Sequence, residues 1–208
     1  MLILVGLGNP GPKYVHNRHN VGFLAMDAMA ERWRFGPERS KFQALVREGT
    51  IAGANSAVRV LMLKPQTFMN ESGRSVLAAL SVVKAAPSDV AVFYDELDLA
   101  PGRFRMKTGG GAAGHNGVRS LISHIGPDFR RGRIGVGHPG HKDQVMGHVL
   151  SDFHKGDRDW LQPLLTALAD AAPLLADGLD DKYQAEVLRL APAEKLDPRK
   201  AARTGGEA

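Results

Sequence analysis

The chain has no cysteine among its 208 residues. Disulfides, thiolate nucleophiles and Cys-based zinc sites are therefore excluded, and a cytoplasmic location is expected. No apolar run reaches the ~18 residues that a membrane-spanning helix needs. Met1 leads straight into Leu-Ile-Leu-Val without a charged leader. Neither a membrane partner nor a signal peptide is expected. Several catalytic letter patterns are also missing: the G-x-S-x-G nucleophile elbow, the H-E-x-x-H zinc helix, and G-K-[ST] after a glycine loop. His138, His141 and His148 lack a tight metal-ligand spacing, so no metal is expected. No internal repeat is visible.

What is present suits one domain. Hydrophobic residues make up 43% of the chain, with 24 Gly and 12 Pro, enough for a proper core. The net charge is +5 and the pI near 9.6, which permits a polyanionic partner without proving one. Residues 1–191 are expected to form a single compact domain. Residues 192–208, "PAEKLDPRKAARTGGEA", are polar with nearly balanced charge and are expected to be a disordered tail.

Leu2 to Val5 reads as a buried strand. Val21, Leu24, Ala25, Ala28 and Met29 recur at helical spacing from about residue 20. "FQALVREG" and "SAVRVLMLKP" read as an antiparallel pair towards one side of a sheet, closed by Pro65. Asn70 is expected to cap a helix over 71–85. "VAVFYDE", "RFRMK" and "RGRIGVGHPG" read as strands, and "GHNGVRSLISHIG" as a helix after a glycine run. Two helices near 157–172 and 178–190 close the chain. Strands alternating with helices predict an α/β three-layer sandwich, its twisted sheet mixed and mostly parallel. Sites in such sheets gather beyond the carboxyl ends of strands. Asn9, Asn70 and Asp95 fall there.

The first turn, "GLGNPG", has the letters of a dinucleotide-binding turn. That turn must open a helix directly, so that backbone N–H groups meet the pyrophosphate. Pro10 and Pro12 interrupt it, and Glu31, at the spacing of a ribose-binding acid, falls on the helix. No nucleotide cofactor is expected.

"NRHNVG" places His19 and Asn20 at the entry to a helix. A helix N-terminus disfavours a proton on the ring, and a neutral imidazole is what a general base needs. A capping histidine with no chemistry is the alternative. Asp95 ends an apolar strand, where an acid is costly unless paired. It either caps a loop or pairs with Arg, or it holds His19 Nδ1–H and fixes the tautomer. Glu96 and Asp98 read as loop surface. With no protein nucleophile in view, a His–Asp pair implies water as attacker. Asn9, Asn70 and Asn116 follow strands or a glycine loop. Asparagine is both donor and acceptor and suits peptide groups or an oxyanion, although each can simply cap a turn. His115 either caps the next helix or walls the cleft.

Arg103, Arg105 and Lys107 alternate with Phe104 and Met106, which puts all three charges on one strand face. Arg130, Arg131 and Arg133 lie at the next strand. Two such clusters can clamp phosphates or guard a solvated sheet edge. An RNA-binding protein with an idle histidine cleft is thus the rival to an enzyme.

At this point the residues resemble a known family. "GLGNPGPKYVHNRHNVG", "KPQTFMNESG", "YDELDLAPG", "GGGAAGHNGVRSL" and "RGRIGVGHPG" are similar, in order and spacing, to the blocks of the bacterial-type peptidyl-tRNA hydrolases. The similarity runs from residue 2 to about 190. It implies a monomeric α/β enzyme, with neither metal nor cofactor, that cleaves the ester between a peptide and the 3′-terminal ribose of tRNA. The acceptor arm and 3′ end of peptidyl-tRNA are the implied partner, and no DNA is expected. The family's catalytic histidine corresponds to His19, its supporting aspartate to Asp95, and its cleft asparagines to Asn9, Asn70 and Asn116. Tyr14, Met69 and His115 correspond to residues lining the cleft. Lys107 and Arg133, with Arg105 as neighbour, correspond to residues holding the tRNA 5′-phosphate. Two features depart from the pattern. Asn17 stands where relatives often have Thr, and Ala112 and Ala113 occupy a loop where others place His or Gly, which is expected to stiffen it.

Overall fold

The computed structural model describes residues 1–54 and 56–193. The tail expected at 192–208 lies, from residue 194 onward, outside the described residues. Among the described residues, seven strands form one sheet: β1 (Leu2–Gly6), β2 (Arg39–Lys41), β3 (Ala44–Ala52), β4 (Ala57–Pro65), β5 (Val90–Glu96), β6 (Phe104–Thr108) and β7 (Arg130–Gly135). Their order is β2-β3-β4-β1-β5-β7-β6. The four central strands, β4-β1-β5-β7, run parallel. The strands beyond them, β3 and β2 on one side and β6 on the other, pair antiparallel. β1 and β5 are buried at every residue, as continuous apolar runs in a two-faced sheet require.

Helices cover both faces, giving three layers. On one face, α1 (Val21–Arg32), α5 (Arg158–Asp170), α6 (Ala172–Ala176) and α7 (Asp180–Leu190) share a core with Leu4, Met62, Phe93 and Phe104. On the other, α2 (Ser72–Val83) and α3 (Asn116–Ile125) pack on Ile3, Val5, Leu63 and Val92. A short α4 (Val145–Val149) stands apart on the way to α5.

Some short elements have no counterpart in the sequence reading. β2 is the exposed tripeptide Arg-Ser-Lys, without any apolar alternation. α4 has five residues, too few to show a helical period. Asn70 does not cap α2. It lies within a 3-10 turn, Met69–Glu71, and α2 starts at Ser72, whose hydroxyl donates to the Met69 carbonyl at 2.8 Å.

One glycine sets the geometry at the head of the sheet. A Cβ on Gly22 would stand 2.3 Å from the Phe93 carbonyl oxygen and 2.5 Å from Leu7 N. The first turn of α1 therefore rests directly on the backbones leaving β1 and β5. That contact carries His19 and Asn20, just ahead of Gly22, up to Asn9 and Asp95.

Candidate active site

The central parallel strands all end at the same edge, and the polar residues gather there. Asp95 is the penultimate residue of β5 and is 3% exposed. The 3-10 turn Arg18–Asn20 leads into α1 and brings His19 over it. His19 Nδ1 lies 2.9 Å from Asp95 Oδ1 and 3.0 Å from Oδ2. From the other side His115 Nε2 reaches Asp95 Oδ1 at 3.0 Å. One buried carboxylate thus serves two imidazoles, whose ring centres are 4.9 Å apart.

The hydrogen bonds fix the tautomers. His115 is the N-cap of α3, and its Nδ1 accepts from Gly117 N at 3.1 Å and Val118 N at 3.3 Å. Its ring hydrogen therefore sits on Nε2 and is donated to Asp95. The capping reading of His115 holds, and its other ring nitrogen meets Asp95. A carboxylate only accepts, so His19 donates from Nδ1. That leaves His19 Nε2 with a lone pair and no hydrogen-bond partner among the described residues.

Burial opposes charge on His19, but the Asp95 carboxylate and its hydrogen bond outweigh it, and the His19 pKa is raised above 6.5. This corrects the expectation that the helix start lowers it. A full charge at hydrogen-bond distance in a buried site exceeds the partial charge of a helix terminus. For Asp95, burial pushes the carboxyl up, yet the two imidazoles win and hold it well below the ordinary carboxylate range.

Three ligand atoms of His19, Asp95 and His115 lie within 4.8 Å of one another, close enough for a metal. The donor chemistry does not fit one. His115 Nε2 carries its hydrogen because Nδ1 is already an acceptor. A cation at Nε2 would have to break both the helix cap and the bond to Asp95.

Asn9 is held from three directions. Its backbone N donates to Asn20 Oδ1, and its carbonyl accepts from Asn20 Nδ2, both at 2.9 Å. Its side-chain Oδ1 accepts from Met69 N at 2.9 Å. The Asn9 Nδ2 hydrogens make no hydrogen bond among the described residues. Asn20 was legible in the sequence only as the neighbour of His19. Its role as the pin of the Asn9 loop needed the fold.

Met69 is buried, and its sulfur packs on the start of α3, where a Cβ on Gly117 would stand 2.6 Å from Sδ. This brings the Asn70 turn beside Asn116, the first residue of α3. Both asparagines are exposed, and Asn116 Oδ1 accepts from Arg119 at 2.8 Å. Tyr14 is half-buried in the turn after Gly11.

The cationic residues separate into two groups. Register places Arg105 opposite Arg133 and Lys107 opposite Arg131, with Arg133 beside Tyr94 on β5. Arg105 and Lys107 are exposed and Arg133 is half-buried. Among the described residues, Arg133 has one carboxylate in range, Glu96 at 3.6 Å. Glu96 is 7% exposed, which corrects its reading as loop surface: it completes the buried strand. Arg130 and Arg131 are not available to a phosphate. Arg130 pairs with Asp180. Arg131 is 2% exposed, stacks on Phe129 and donates to the Gly110 and Gly111 carbonyls at 2.7 and 2.6 Å. It pins the glycine loop, in which Ala113 takes the left-handed conformation at φ 45°. Lys107 folds over the same loop, with Nζ 2.9 Å from where a Gly110 Cβ would be.

Comparison with known proteins shows the family. The family model described as peptidyl-tRNA hydrolase matches residues 3–194. The peptidyl-tRNA hydrolase of Phenylobacterium zucineum is 66% identical over 97% of both chains. That of Caulobacter vibrioides is 61% identical over 98% of this chain and 99% of the relative. The solved structure of peptidyl-tRNA hydrolase from Acinetobacter baumannii superposes with a TM-score of 0.85 at 37% identity, covering 93% of this chain and 97% of that one.

Proposed function

Because this chain belongs to the peptidyl-tRNA hydrolase family, and so hydrolyses the ester of peptidyl-tRNA, we propose that His19 is the base that activates the attacking water. The observation that carries this reading is the buried carboxylate of Asp95 gripping His19 Nδ1 with both oxygens. The grip leaves Nε2 basic and unpartnered among the described residues, and the Asn9 amide is assigned to the same water. That water loses a proton to Nε2 and attacks the ester carbonyl. Asp95 stabilises the imidazolium that forms. Asn9 Nδ2 donates to the developing oxyanion or to the water. His19 then returns the proton to the 3′-oxygen of the ribose, and free peptide and tRNA leave. Asn70 and Asn116 hold the peptide main chain, with Met69, Tyr14 and His115 as walls. The reaction uses neither metal nor cofactor, and the enzyme works as a monomer in the cytoplasm.

The test is a pH–rate profile on a defined short peptidyl-tRNA. Only neutral His19 can take a proton, and its pKa is raised. kcat/KM must therefore fall on the acid side with a midpoint above 6.5. A flat profile between pH 6 and 8, roughly the span of histidine titration, would remove His19 from the base role.

The acceptor arm lies over Lys107, Arg105 and Arg133, which take its 5′-phosphate. Like charges directly opposite across a strand pair are unfavourable, and Arg105 faces Arg133, with a single carboxylate in range of Arg133 among the described residues. An anion between them relieves that repulsion. Lys107→Ala is expected to raise KM for tRNA with little change in kcat, and to lower the slope of log affinity against log salt by about one contact, roughly 0.7–0.9. An unchanged slope would argue against a phosphate contact.

A further inference from the structure

We propose that Arg18 is a positioning residue for His19, and that its ion pair with Asp157 and its bonds to residues 151 and 152 hold the catalytic loop in register. The inference rests on the reading of His19 as the base. The sequence offered Arg18 no role, and an arginine immediately before a reactive histidine would ordinarily be assigned to the solvent. It is instead 5% exposed. Its Nη1 donates to Ser151 Oγ at 2.8 Å and to the Asp152 carbonyl at 2.6 Å, and its Nη2 donates to Asp157 Oδ2 at 2.8 Å. The guanidinium lies over the Phe153 ring, 5.5 Å from its centre, and Phe153 packs edge-on against Trp160.

The backbone around it forms a clip. Arg18 N donates to the Ser151 carbonyl and Phe153 N to the His16 carbonyl, each at 3.0 Å. Asn17 and Asp152 make an isolated antiparallel bridge, and Asn17 Nδ2 reaches Asp152 Oδ1 at 2.6 Å. The clip joins two stretches more than 130 residues apart in sequence. Ser151 Oγ also donates to the His148 carbonyl at 2.7 Å, so the clip ends α4 as well. Asp157 is fixed in turn, accepting from His154 N at 2.8 Å and from Trp160 Nε1 at 3.1 Å.

A buried ion pair is weak evidence for stability, since apolar residues of similar volume often do as well. What a planar fork supplies is direction. Its donors lock one side chain to three acceptors, which an aliphatic residue cannot do. The residue that benefits is the next one. His19 must keep Nδ1 within 3.0 Å of both Asp95 oxygens, and it has no other side-chain hydrogen bond among the described residues. A displacement of 1 Å in a catalytic group can cost ~10²-fold.

Arg18→Lys and Asp157→Asn test this in the full chain. Lysine keeps the charge but loses the fork, and asparagine keeps the shape but loses the charge. Both are assayed on a defined peptidyl-tRNA across pH, with thermal midpoint and His19→Ala alongside. Arg18→Lys is expected to lower kcat about tenfold or more, with KM changed by less than about twofold. The acid limb should move to lower pH, because a ring drifting from Asp95 loses what raises its pKa while remaining buried. Asp157→Asn should shift both quantities the same way by less, which keeps the test valid if Arg18→Lys does not fold. Folded variants with wild-type kcat and acid limb overturn the proposal. So does a lowered thermal midpoint with an unmoved limb, which is the signature of a purely structural arginine. If His19→Ala retained turnover, the base reading would fail first. An inactive His19→Ala beside an unaffected Arg18→Lys sinks the positioning role alone.

Discussion

His19→Ala is expected to lower kcat by roughly 10²–10⁴-fold, the usual worth of a positioned base, while tRNA affinity stays close to wild type. The reason lies in where the side chain is tied. His19 makes its hydrogen bonds to Asp95, at the head of β5. The cations assigned to the acceptor arm stand on β6 and β7. Deleting the imidazole removes the acceptor for the water proton and touches none of Arg105, Lys107 and Arg133. It also leaves Asn9 in place, since that loop is pinned by Asn20 and Met69 rather than by His19. Single-turnover hydrolysis of a short peptidyl-tRNA, with filter binding of the uncharged tRNA, separates the two effects. Residual hydrolysis above the uncatalysed rate is expected, because the oxyanion donor proposed at Asn9 is untouched. Turnover near wild type would end the assignment of His19 as base. A parallel collapse of tRNA binding would show that the loop, rather than the ring, had been lost.

The architecture was legible wherever burial writes a pattern. Leu2 to Val5 reads as a central strand because all four side chains must be apolar in a sheet covered on both faces. The helix after His19 reads as amphipathic because one face meets the sheet. β2 and α4 left no trace, since an exposed tripeptide and a single turn need no apolar period. Part of the site was legible as residue types at strand ends and a helix entry: His19 does pair with Asp95, and Asn9 is tied to Asn20, the neighbour of His19. Three features were not legible, and each depends on contacts across long sequence separation. Arg130, Arg131 and Arg133 look alike in sequence. Only the strand register and the position of the glycine loop decide that Arg131 is buried against Gly110 and Gly111 and that Arg130 is taken by Asp180. Glu96 falls at the end of the strand "VAVFYDE", where a charged residue reads as surface, yet it is buried and close to Arg133, 37 residues on. The direction of the His19 shift could not be read from the helix start, because it is set by a carboxylate 76 residues away in sequence.

Asp95→Asn is expected to cost nearly as much in kcat as losing His19, of order 10²–10⁴-fold, and to move the acid limb the opposite way from a simple loss of acidity. In the wild type one carboxylate accepts from His19 Nδ1 with both oxygens and from His115 Nε2 with Oδ1. An amide offers one oxygen and one NH₂ in the same space. His115 cannot reverse, because its Nδ1 caps α3, so it keeps the amide oxygen. The NH₂ then faces His19 Nδ1 and favours the tautomer with hydrogen on Nε2. That tautomer turns a donor towards the water and cannot act as a base. The charge that stabilised the imidazolium is gone as well. His19 remains buried, and burial lowers its pKa once the coulombic attraction of Asp95 is removed. The acid limb should therefore fall from above 6.5 to below it, followed by the rate profile and by NMR titration of the His19 ring. Stability has its own signature. Asp95 is held below its ordinary range, so the stability it contributes is in place above about pH 3.9 and is lost as the pH falls below that. The asparagine variant lacks this acid-side loss. A variant with the wild-type acid limb would mean that Asp95 does not set the His19 proton affinity, and the pairing on which the mechanism rests would be incidental.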